Sequence, residues 1–147
     1  MFDPWWAVAA ALAIICVWIV WKRRREGTWL RRARREFHLR REWLEVDFMT
    51  MGAAGGAPAG LLWENCQFQD DAAFAIDRIS GQLRAFVAVT IPVDAGVKPP
   101  RTSAEQRPAT AVFLYDGRRW IPEGPALLNL NPQQAIEHFH HELELVD

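Results

Sequence analysis

The chain has 147 residues and a mass of 16.8 kDa, which is room for one domain of ordinary size and too little for two full ones. Half of the residues are hydrophobic and 24% are charged, which excludes a disordered chain, a collagen and a disulfide scaffold. The formal net charge of −1 conceals a segregated distribution: residues 1–41 carry ten Lys and Arg against three acidic groups, and residues 42–147 carry seven against fifteen.

Residues 4–21 hold no charged side chain. A helix of that length, at ~1.5 Å per residue, reaches ~27 Å and matches the hydrocarbon core of a bilayer. Trp5 and Trp6 stand at one end and Trp18 and Trp21 at the other, where indole rings settle at the boundary of water and lipid. Asp3 precedes the stretch, and Lys22, Arg23, Arg24 and Arg25 follow it. This is the reverse of the charge order of a signal peptide. Basic residues beside a span resist translocation, so the expected orientation is N-terminus out, with the rest of the chain in the cytoplasm of a single-pass membrane protein. Cys16 reads as a small apolar residue of the span. Ala7 with Ala11, and Ala9 with Ala13, give the small-residue spacing through which spans pair into homo-oligomers.

Thr28 is placed to cap a second, amphipathic helix over residues 29–51, whose apolar positions are Leu30, Ala33, Phe37, Leu44, Phe48 and Met51, with Arg41 interrupting the period. Its first half carries Arg31, Arg32, Arg34 and Arg35. A basic run joined directly to a span has anionic lipid headgroups within a Debye length, so lipid contact is expected and nucleic acid is not. Residues 52–60 hold four glycines and a proline and lack the Gly-Lys-Ser/Thr ending of a phosphate loop, so they read as a linker.

Beyond the linker the period becomes two. Strands are expected at residues 61–68, 72–78, 82–93, 109–115, 118–121 and 126–130. Leu83, Ala85, Val87, Val89 and Ile91 share the core face of the third. Turns fall at residues 79–81 and at Asp116-Gly117, a two-residue hairpin signal. The proline-rich residues 94–108 form a surface loop and the expected contact surface for a partner. Asn131, Pro132 and Gln134 open a last helix through a capping box, with Ala135, Ile136, Phe139 and Leu143 as its apolar face.

The expected fold is α+β: a transmembrane helix (residues 1–21), a basic juxtamembrane amphipathic helix (22–51), a linker (52–60), and a soluble body (61–147) in which a C-terminal helix packs on about six short antiparallel strands. In element order, residues 29–146 resemble the cystatin-like and nuclear-transport-factor-like α+β domains, which implies a helix lying in the concavity of a curved sheet. The strings TAVFLYDGRRW and NLNPQQAIEHF resemble segments of uncharacterised single-span proteins of planctomycete-like bacteria, a likeness that implies no activity.

Candidate chemistry is sparse. His138, His141 and Glu142, with Glu137 and His140 beside them, have helical spacing that suits a zinc ion, yet not in the order of a metalloprotease. A solvated helix face is the preferred account of them, because Ile136 and Phe139 already claim the buried side, and no metal or other cofactor is expected. Cys66 has no local base, since His38 lies in the basic helix; Asp70, Asp71, Asp77 and Asp116 each have a turn-forming use. Trp63, Phe86 and Trp120 are candidates to line a pocket, although aromatics in a small sheet belong more often to its core. No catalytic residue is expected. The leading expectation is a membrane-anchored, non-catalytic interaction domain, an accessory subunit of a membrane assembly with a protein partner; the alternative is a small-ligand-binding or enzymatic domain that uses the concave face of its sheet.

Overall fold

The computed structural model describes residues 5–55, 60–94 and 105–146, apart from the side chains of Arg23 and Arg25. The chain divides into two compact units, Met1–Leu39 and Arg40–Asp147.

The described part of the first unit is helical and belongs to α1, Trp5–Ala54, a single helix of 50 residues. The expected break at residues 27–28 does not occur. Arg, Glu, Leu and Ala on both sides are strong helix formers, and they outweigh the ~1 kcal/mol that Gly27 costs. Thr28 therefore caps nothing: its hydroxyl donates back to the carbonyl of Arg24, one turn earlier. Trp5, Trp6, Trp18 and Trp21 are all exposed, and the Lys22 ammonium lies 5.5 Å from the centre of the Trp18 ring. The N-terminal part of α1 is long and apolar enough to cross a membrane, and none of that apolar window is buried by protein.

In the second unit α1 continues through Gly52 and Ala53 to Ala54, so the expected linker begins later than its glycines suggest; residues 56–59 lie outside the described residues. Strands β1 (Gln67–Asp77), β2 (Leu83–Pro92), β3 (Gln106–Tyr115), β4 (Trp120–Pro122), β5 (Leu127–Leu128) and β6 (Leu143–Val146) form one antiparallel sheet, with α2 (Pro132–His138) between β5 and β6. The spatial order is β4-β3-β2-β1-β6, and β5 pairs with β3 beyond β4.

Both faces of the sheet are covered. On the first, Leu83, Ala85, Val87, Val89 and Ile91 are buried as their alternation predicts, joined by Phe74, Ala109, Ala111, Phe113, Tyr115 and Trp120. Leu44 and Phe48 of α1 are buried too, and the Phe48 ring centre lies 5.9 Å from Phe113, 5.8 Å from Phe68 and 6.0 Å from Trp63. Phe74 on β1 and Trp120 on β4 have ring centres 6.0 Å apart. Strands ~4.8 Å apart hold the two backbones ~14 Å from each other, so the two side chains reach toward each other across β2 and β3 on the face that takes Phe48. On the opposite face Ala75, Phe86 and Val112 pack with Ala135, Ile136 and Leu143.

Several boundaries depart from the alternating pattern. Residues 61–66 are not a strand. Leu61 makes one bridge to Val93, a 3₁₀ turn runs over Trp63–Asn65, and β1 starts only at Gln67, because the chain uses this stretch to sink the Trp63 side chain. The expected strands at 61–68 and 72–78 thus become one strand. Asp70 and Asp71 lie not in a turn but at an irregularity within it, where the register passes from Phe68↔Val89 to Ala72↔Val87. Arg41 donates to the carbonyl of Asp70 and pairs with Glu45 at 2.8 Å. The charge that interrupted the helical period thereby covers an open stretch of sheet edge.

At the hairpin, the amide of Asp116 donates to the carbonyl of Arg119 at 3.1 Å, so the central pair is Gly117-Arg118, one residue later than expected. Gly117 has φ +94°, and the Asp116 carboxylate accepts from the amides of Arg118 and Arg119. The last helix opens with the expected capping box of Asn131 and Gln134, yet it stops at His138. Leu143 leaves the helix for β6, because β1 otherwise has an unpaired edge at Phe74–Asp77.

Gly52 touches the Trp63 ring so closely that a Cβ at this position would enter the ring atoms. The substitution Gly52→Ala is expected to destabilise the protein by about 1–3 kcal/mol, because the indole must leave its seat. Thermal unfolding of the detergent-solubilised chain, followed by near-ultraviolet circular dichroism, checks this; an unchanged midpoint would refute it.

Candidate functional site

The last turn and a half of α1, the 3₁₀ turn and the segment from β4 to β5 enclose a concavity of about 480 Å³. It is lined by Phe48, Met51, Gly52, Gly55, Trp63, Gly124, Pro125, Ala126 and Leu128. Four of the nine residues are glycine or alanine, so the space exists where side chains stop. Gly124 has φ +64°, a conformation that favours glycine and lets the chain turn between β4 and β5 without placing a side chain in the opening. Phe48 and Trp63 meet nearly edge to face, at 64° between ring planes. Among the described residues no lining side chain carries a titratable group. Of the three aromatics that the sequence offers either to a pocket or, more readily, to the core, Trp63 alone lines the cavity. Trp120 is buried in the core of the same face, and Phe86 lies under α2 on the other. The glycine and alanine positions that shape the cavity carry no signal in the sequence, because they look like linker and turn.

The expected site residues are not gathered. His138 ends α2, while His141 and Glu142 lie in the turn after it, all three exposed; the one-helix geometry that ligand spacing presumed is lost. The His140 and His141 rings lie 3.8 Å apart, and Nδ1 of His140 is 2.8 Å from the carbonyl of Glu137. Among the described residues no three His, Cys, Asp or Glu side chains are grouped to hold a metal ion. Half-burial pushes the Cys66 thiol up to about 11, so it stays protonated at neutral pH. Arg31, Arg32 and Arg35 are exposed and Arg34 is half-buried. Within the expected contact loop, residues 95–104 lie outside the described residues, and residues 106–108 belong to β3.

A dense cluster of charge among the described residues of the body is structural. On the α2 face, Arg84 spans two carboxylates: Nε and Nη2 donate to Glu123 at 2.6 and 3.0 Å, and Nη1 donates to Asp77 at 2.6 Å. The other oxygen of Asp77 accepts from the amides of Ile79 and Ser80. These amide bonds and the guanidinium hold the Asp77 carboxyl well below the usual carboxylate range. Asp77 thus closes the β1–β2 turn, as the sequence suggests, and also ties it to β2. Compared with known proteins, the chain matches no family model, no curated protein and no solved structure.

A depressed folded pKa contributes stability that is complete above the unfolded carboxylate value of ~4 and is lost as pH falls below it toward the folded value. The stability difference between the wild-type chain and Asp77→Asn is therefore expected to be constant above about pH 5 and to shrink at lower pH. Thermal midpoints measured from pH 3 to 8 check this, and a difference that grows on acidification would contradict it.

Proposed function

We propose that the protein is a membrane-anchored interaction domain that works by contact and not by catalysis, as an accessory subunit of a membrane assembly. The observation that carries the reading is the N-terminal part of α1: an apolar helix with no protein packed on it, tryptophans at both ends and a basic block after one end. By the distribution of charge the N-terminus lies outside the cell membrane, and the sheet domain lies in the cytoplasm. Arg31, Arg32 and Arg35 extend the basic surface toward anionic headgroups, each worth ~1 kcal/mol close to the surface. The alanine pairs of the span allow two copies to associate. Contact in place of catalysis is supported by an apolar cavity whose described lining holds no proton-transferring side chain and by a thiol held in its protonated form.

Two experiments test the anchor and its basic flank. A C-terminal reporter is expected to be active only on the cytoplasmic side, with the chain released from membranes by detergent alone; activity on the outer side, or recovery without detergent, would refute the reading. A truncated chain that begins at Gly27 is expected to bind anionic vesicles, and less so at high salt or after Arg31, Arg32, Arg34 and Arg35 are changed to Gln. Equal binding to neutral vesicles would overturn the headgroup contact.

A further inference from the structure

We propose that the cavity at the end of α1 is a binding site for an uncharged aromatic small molecule. Its volume of about 480 Å³ falls within the ~300–1,000 Å³ of small-molecule sites. The chemistry of the walls selects the class. Among the described residues no lining side chain is charged or titratable, so a charged ligand would lose its hydration with no partner there to replace it.

Trp63 lines the cavity with its indole, packed nearly edge to face on the buried ring of Phe48, and Met51 adds a polarizable thioether; both surfaces favour a ring over a saturated chain. The site is also held in shape before anything binds. The Trp63 ring lies against the Gly52 backbone, and Phe48 is fixed by Phe113 and Phe68 beneath it. A preformed wall spares the ligand the cost of ordering it. Carriage of such a ligand is a function beyond contact with a protein partner, and it does not depend on which way the span is oriented.

The test uses the full chain in nanodiscs of neutral phosphatidylcholine and the photoreactive probe 3-trifluoromethyl-3-phenyldiazirine, with labelled residues mapped by mass spectrometry. Labelling of Met51, Trp63 and Leu128 is expected to saturate with probe concentration and to be displaced by unlabelled toluene, while labelling of the span rises without saturation. The 4-carboxy analogue of the probe, and a neutral alkyl diazirine of similar size, are each expected to label these residues about tenfold less. Ala126→Trp, which fills the cavity from a position without glycine geometry, is expected to abolish the saturable component and leave the span labelling unchanged. Displacement by toluene in the unaltered chain keeps the test decisive should Ala126→Trp impair folding. Absence of a saturable component would overturn the site, and equal labelling by the carboxylate or the alkyl probe would overturn the ligand class.

Discussion

The packing of Trp63 against Gly52 is the contact on which the organisation of the body depends. It joins three pieces of chain that share no hydrogen-bond ladder: the end of α1, the 3₁₀ turn and, through Phe48, the sheet. An indole buries a large apolar area, but it lies flat on a helix only where the helix offers bare backbone. A glycine in the last turns of α1 costs helix propensity of ~1 kcal/mol and returns it as a close approach that no other residue permits. The same contact props open the cavity beside it, because Gly55 and Gly124 leave the remaining space unfilled.

The two faces of the sheet are secured by different means. The face under α1 is almost entirely hydrophobic, with Ala85 opposite Phe113 and Ala111 opposite Val87, and rings from β1 and β4 meet over the strands between them. The α2 face has a smaller apolar cluster and closes at one end with Arg84 between Asp77 and Glu123. A half-buried guanidinium with two carboxylates is directional where the apolar cluster is not, and it fixes the β1–β2 turn against the segment that follows β4. Thr110, fully buried on this face, satisfies its hydroxyl on the carbonyl of Leu130.

Much of this fold was legible wherever a local rule acts alone. The alternation of residues 83–91, the Asn131 capping box and the Asp77 turn follow from periodicity and short-range hydrogen bonding, and each stands as read. What was not legible depends on partners distant in sequence. Residues 139–146 have the composition of a continuing helix, and only the vacant edge of β1 turns them into a strand. Residues 61–66 alternate like a strand, and only the seat on Gly52 draws Trp63 into a turn. Arg41 looked like a flaw in an apolar stripe until the carbonyl of Asp70 lay within its reach. The cavity had no sequence signature, because its defining residues act by lacking side chains.

The pairing of β6 with β1 has a consequence in time. Phe74 meets Val146 across 72 positions of chain, whereas Ile76 meets Leu83 across seven. Closing the longer loop costs about 2 kcal/mol more in chain entropy, and α2 has too few turns to hold itself together in water. Chain entropy therefore favours the β1–β2–β3 meander as the first part to form, an order that leaves Phe86 and Val112 exposed to solvent until α2 condenses on them and β6 completes the sheet. During that interval the free edge of β1 lies open to any other strand, and a nascent copy of the same chain is the nearest source of one.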